Sequence, residues 1–181
     1  MWTNEFFIGT LISLLIGIIS GAFASYVFLT LYLKRKVPNL IIAERISKCV
    51  FDGETNYFFK FINKTKSEIF DVRVELTFHK FRGGGNNIQE IDLTLKDSYF
   101  AYIPVKSKRD VFNLHAVRVR TEDRIEDMWD NDSSYVRITV IAKHSLSGLS
   151  KVYKMDYRST HFIVNGEYAS GDNLNVLTNN N

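Results

Sequence analysis

The chain has 181 residues, with 23 Lys and Arg against 20 Asp and Glu, a formal net charge of +3 and one cysteine. That length leaves room for one domain of ordinary size beside a smaller segment. So slight a charge excess is too small to argue for a nucleic-acid polymer, and none is expected as partner; a lone Cys49 argues against a disulfide framework and fits a reducing compartment.

The first predicted element is a membrane helix. From Phe6 to Leu33 there is no Asp, Glu, Lys, Arg, His, Asn, Gln or Pro. A helix over this run reaches ~42 Å at a rise of 1.5 Å per residue, and about 20 residues suffice to cross the hydrocarbon core. The triplet Ala22-Phe23-Ala24 has the form of a signal-peptidase site. A leader without Lys or Arg and a further apolar run after the site argue for retention as an anchor. Lys34, Arg35 and Lys36 follow the helix directly, and every Lys and Arg of the chain lies beyond it. The positive-inside rule then puts the N-terminus outside and the C-terminal part in the cytoplasm of an inner (plasma) membrane. Lys34, Arg35 and Lys36 are candidate contacts to lipid headgroups, each worth on the order of 1 kcal/mol toward anionic lipid.

Gly9, Ser13, Gly17, Gly21 and Ser25 recur at every fourth position of this helix. Small residues in phase let a second backbone come close, so this row is the candidate helix-packing surface of a homo-oligomer. Residues 1–36 thus form the anchor with its basic flank, 37–171 a cytoplasmic domain, and 172–181 a polar, disordered tail.

Beyond Pro38, which ends the helix, the pattern is that of β-strands. Candidates in chain order are "NLIIAERI", "YFFKFIN", "FDVRVELTFHK", "IDLTLK", "AVRVR", "SYVRITVIAK", "SKVYKMDY" and "HFIVNGEY". In the third, Phe70, Val72, Val74, Leu76 and Phe78 alternate with polar residues; in the sixth, Val136, Ile138, Val140 and Ala142 do so. Period-two alternation marks strands with one wet face. "INKTKSEIF" connects two strands, "FRGGGNN" (Gly83–Gly85) is a hairpin tip, and "HSLSGLSK" is a turn around Gly148. Eight strands at this spacing predict an all-β sandwich.

The chemistry-bearing residues are sparse. Asp127, Asp130 and Asp132 lack the spacing of a calcium loop and read as a solvated acidic loop. His79, His115, His144 and His161 are scattered without metal-ligand spacing, and His79 falls on the polar face of its strand as a surface residue. No nucleophile-base arrangement is present in the sequence, which predicts no enzyme, no metal and no cofactor. The sequons at Asn63 and Asn131 stay unused in a cytoplasmic domain.

The couplet "YFFKFINKTKSEIFDVRVELTFHK" and the later stretch "YVRITVIAKHSLSGLSKVYKMDYRSTHFIVNGEYASGD" resemble the cytoplasmic domain of inward-rectifier potassium channels. Tyr157, Ile163, Gly166 and Tyr168 sit where that pattern wants them, and the likeness covers roughly residues 55–171. It implies an immunoglobulin-like sandwich assembling about an axis below a membrane. The sequence contains one span and no filter of the TVGYG type, so the resemblance implies no potassium-selective pore. The expectation is a single-pass, membrane-anchored, immunoglobulin-like β-sandwich that oligomerises and binds an unknown cytoplasmic ligand or protein partner. The alternatives are a signal-gated membrane effector, similar in domain order to those of bacterial anti-phage systems, and an accessory subunit of a channel.

Overall fold

A computed structural model describes residues 4–81, 88–107, 110–129 and 134–178, and the side chains of residues 4, 5, 34 and 35 lie outside that description. The chain divides into two compact units between Lys36 and Val37.

The first unit is one helix, α1 (Asn4–Arg35). No charge or proline interrupts it from Phe6 to Leu33. The hydroxyls of Thr10 and Ser13 donate to carbonyls four residues back, each at 2.9 Å, so they need no water. Pro38, two residues beyond Lys36, cannot continue the ladder.

The second unit is mostly β. In order it holds β1 (Leu40–Ile42), β2 (Ile46–Phe51), β3 (Glu54–Asn63), β4 (Ile69–Phe81), β5 (Ile88–Asp92), β6 (Tyr99–Ile103) and β7 (Ala116–Thr121). A helical turn α2 (Ile125–Met128) precedes β8 (Tyr135–His144) and β9 (Ser150–Tyr157), and β10 (Ile163–Asn165), β11 (Glu167–Tyr168) and β12 (Val176–Leu177) close the chain. β3 carries β1 and β2 along one edge and β7 along the other, with β10 parallel to β2. In the second sheet β4 carries β5 and β6 along one edge and β8 along the other, with β9 beyond. Phe59, Phe61 and Val119 of the first sheet and Val74, Phe78, Ile138 and Val140 of the second belong to one apolar core.

The β8 alternation is as expected, with Val136, Ile138, Val140 and Ala142 all fully buried. In β4 the expectation needs a correction. A bulge between Phe70 and Arg73 shifts the register against β8, with Asp71 at φ 49° and its carboxylate held by Lys143. One extra residue reverses the alternation, so Ile69 enters the core and Phe70 stays half-buried outside it.

Other boundaries also move. "NLIIAERI" is two strands, because the chain bends at Ala43–Arg45 and both pieces serve the same edge of β3. Asp52 and Gly53, both at positive φ, make the two-residue turn between β2 and β3. The strand expected at "IDLTLK" lies earlier, at β5, and β6 had no sequence counterpart. Residues 172–178, expected as a disordered tail, pack back on the domain: Val176 pairs with Tyr168, and Asp172 binds Lys64 at 3.0 Å. Gly166 permits this, since a Cβ there would stand 2.0 Å from the Leu177 carbonyl oxygen. The acidic stretch is likewise no simple solvated loop: Ile125 is fully buried, Trp129 packs edge-on against Phe78 and Glu126 binds Lys48 and Tyr57. Asp130, Asp132, Asn131 and Gly83–Gly85 lie outside the described residues.

Val74→Asp puts a carboxylate into the shared core, at a cost of several kcal/mol against a total of about 5–15. The substitution is expected to abolish the cooperative unfolding transition followed by Trp129 fluorescence in the detergent-solubilised full chain. Glu75→Lys, on the exposed side of the same strand, leaves the midpoint nearly unchanged; equal effects would contradict the register.

Candidate functional site

Gly9, Ser13, Gly17, Gly21 and Ser25 are all exposed on α1. No atom lies within 4 Å of the position a Cβ would take at Gly9, Gly17 or Gly21. Ser13 has turned its hydroxyl onto the Gly9 carbonyl, so the row presents backbone and small apolar surface. Such a strip lets a second helix approach closely, while the bulky Leu, Ile and Phe elsewhere on the helix hold it away. The side chains of Lys34 and Arg35 are outside the described residues; Lys36 has its ammonium 5.7 Å from the centre of the Tyr32 ring.

In the second unit the outer face of the first sheet is partly covered by residues 166–173. Lys60, in the middle of β3, is 1% exposed, and its ammonium donates to the carbonyls of Ala169 (2.6 Å) and Asn173 (2.8 Å). Arg118 on β7 donates to the carbonyls of Tyr168 (2.9 Å) and Ala169 (3.3 Å). Burial first, and then the Arg118 charge, lower the Lys60 pKa to about 8, with Asp172 opposing. These two cations clamp the closing segment. Beside them a cavity of about 130 Å³ is lined by Cys49, Phe51, Phe58, Arg118, Glu167 and Tyr168. Burial raises the Cys49 thiol above its ordinary range, so it is a poor nucleophile. The lone cation inside "YFFKFIN" was the sequence signal for this site, and the sequence reading did not use it.

Two further histidines, His115 and His144, are buried, and His161 is exposed. His115 is buried between two carboxylates, with Nδ1 2.6 Å from Asp110 and Nε2 2.7 Å from Asp172. His144 accepts from the Leu146 amide at Nδ1 (3.1 Å), which leaves Nε2 as the donor toward Ser67 at 2.8 Å. That direction is wrong for activating the Ser67 hydroxyl. Asn63 of the first sequon is buried, its amide donating to the carbonyls of Ser67, Ile103 and Pro104. Among the described residues no three His, Cys, Asp or Glu side chains are grouped to hold a metal.

His79 requires a correction. It faces away from the core, as its place in β4 predicts, yet it is only 4% exposed. The Tyr135 ring from the neighbouring strand covers it at 4.5 Å and 13°, nearly parallel. Neither of its nitrogens has a hydrogen-bond partner among the described residues, and Glu90 lies 3.5 Å from Nδ1. Burial and then Arg137 lower its pKa, with Glu90 and Asp156 opposing.

No protein-family model matches the chain, and comparison with curated proteins gives no match.

The His79 environment makes the fold sensitive to acid. Unfolded histidine takes up a proton near pH 6.5, whereas folded His79 does so only lower. The unfolded state therefore binds more protons in this window, and stability falls as pH drops from 7 to 5. The urea midpoint of the full chain is expected to fall over that range, and His79→Phe, which keeps the stack on Tyr135, is expected to flatten the slope. An unchanged slope in the variant would assign the acid sensitivity to other groups.

Proposed function

We propose that this chain is a single-pass membrane protein, with α1 crossing an inner (plasma) membrane and a cytoplasmic, immunoglobulin-like β-sandwich from residue 37 onward. In this reading the protein self-associates and the domain binds a cytoplasmic ligand or protein partner without catalysing a reaction. The observation that carries it is α1 itself: 28 consecutive uncharged residues, Phe6–Leu33, none of which is buried. Leu, Ile and Phe side chains so arranged need an apolar surrounding, and a bilayer core matches their length. Lys34, Arg35 and Lys36 serve the cytoplasmic headgroups and fix the orientation.

Self-association is supported by the row Gly9, Ser13, Gly17, Gly21 and Ser25. Leu or Ile would face lipid equally well, so small residues in phase have their use against another backbone. Binding is supported by the cavity beside Arg118 and Glu167, which sets one cation and one anion among aromatic rings. The likeness to inward-rectifier cytoplasmic domains, resting on strand pattern and on Tyr157 and Tyr168, supports assembly about an axis and carries no ion conduction.

Gly17→Ile with Gly21→Ile separates two such helices without lowering hydropathy. Cross-linking of the full chain in membranes is expected to lose its oligomer bands in this variant, whereas Ile18→Leu and Phe28→Leu leave them. Undiminished cross-linking in the double variant would remove the row as the interface. Depolarisation of cells on expression of the parent, abolished in the double variant, would favour the membrane-effector reading.

A further inference from the structure

We infer that the end of the β domain nearest its N-terminus, centred on the turn Val111–Leu114, docks on the bilayer surface. This rests on the single-pass reading above, and the experiment below separates the two.

The chain enters the domain at one end of both sheets. Leu40 pairs with Asn63, the last residue of β3, and the Asn63 amide donates to the His115 carbonyl at 2.9 Å. Ile62 pairs with Ala116, so β7 begins there too. In the second sheet Ile69 pairs with Ile103 and with His144, which places the 145–149 turn at the same end. Asn63 joins the sheets through the Pro104 carbonyl at 3.0 Å, and Asp172 joins Lys64, Lys106 and His115.

This end presents exposed apolar side chains. Val111, Phe112 and Leu114 are 79%, 85% and 58% exposed, and Leu146 is 68% exposed. The turn that carries the first three is internally fixed. The Asp110 carboxylate accepts from the amides of Leu114 (2.8 Å) and His115 (3.2 Å), and the Ala116 amide donates to the Asn113 carbonyl at 2.9 Å. A turn held this way displays its apolar residues as a fixed feature of the surface. Lys64, Lys66 and Lys106 lie at the same end, Lys64 and Lys106 both paired with Asp172; the Asp110 and Asp172 carboxylates also engage His115, and Glu68 is exposed there.

Connectivity selects lipid as the occupant. The domain grips the chain from Pro38, whose carbonyl accepts from the Tyr153 hydroxyl, and Asn39 is bonded to both Lys64 and Thr65. Only Lys36 and Val37 lie between that grip and the end of α1. The three steps from Arg35 to Pro38 span roughly 11 Å at full extension. β1 and β7 flank β3, so the start of β1 and the turn before β7 stand about 10 Å apart at two strand spacings. If α1 crosses the bilayer, headgroups lie within reach of the turn. Exposed apolar side chains on a fixed turn, with Lys66 at the same end, suit an interface of acyl chains and anionic headgroups.

The test places a nitroxide label on the full chain in vesicles of phosphatidylcholine and phosphatidylglycerol, using a Cys49→Ser parent. Phe112→Cys carries the label at the turn. Val50→Cys carries it at the opposite end of the first sheet, where Val50 pairs with Thr55, eight residues or roughly 26 Å along β3 from Asn63. Trp129 fluorescence confirms the fold of both, and resistance to alkaline carbonate extraction reports the span. The expected result is an oxygen-to-nickel accessibility ratio several-fold higher at residue 112 than at residue 50. Equal, water-like ratios in carbonate-resistant protein would overturn the docking while leaving the span intact. Low access of both oxygen and nickel at 112 would also overturn it, by placing protein over the turn. Release by carbonate would remove the span and the docking with it.

Discussion

An uncharged run of 28 helical residues, none of them buried, is the constraint on which the rest depends. Water cannot solvate its side chains at acceptable cost, since each large aliphatic or aromatic group left exposed forgoes about 1.5–3 kcal/mol. A soluble core could shelter such a helix, but the core of the β unit is already filled by its own two sheets. The hydroxyls of Thr10, Ser13 and Ser20 are returned to the helix backbone, which lowers the polar demand α1 would make on a bilayer.

The β unit spends several of its polar groups on fixing its two chain ends. Three tyrosine hydroxyls hold the incoming segment: Tyr153 donates to Pro38, Tyr157 to Ala43 and Tyr168 to Arg45. Burial raises the pKa of both Tyr157 and Tyr168, which keeps them as donors. The outgoing segment is held by Lys60 and Arg118, and by the Asp172 cluster with His115. The proposed docking of the turn Val111–Leu114 uses the end of the β unit at which this incoming segment is held.

How much of this was legible in the sequence varied with the kind of signal. The helix was plain because composition alone marks it. β8 was plain because its alternation runs unbroken through Ala142. In β4 the same alternation was read one residue out at its start, since a bulge at Asp71 is a backbone event that no hydrophobic pattern announces. His79 was misplaced for a related reason: periodicity gives the face of a strand, whereas its cover is Tyr135 on another strand. The Asp52-Gly53 turn had an ordinary hairpin signature that could have been read. β6, with its exposed Tyr99 and Tyr102, carries no clean alternation. The closing segment looked unstructured because its order comes from distant partners, Lys60, Arg118 and Lys64. The candidate cavity was illegible for that reason too, being built from β2, β3, β7 and β11 together.

The most direct test of the central claim is the side of the membrane on which the β unit stands. Fusions of alkaline phosphatase and of green fluorescent protein to the C-terminus of the full chain, expressed in a bacterial host, measure it. The account predicts an inactive phosphatase and a fluorescent protein, both retained in membranes after alkaline extraction. An active phosphatase would contradict the orientation taken from Lys34–Lys36, and fusions recovered in the soluble fraction would contradict the membrane span itself.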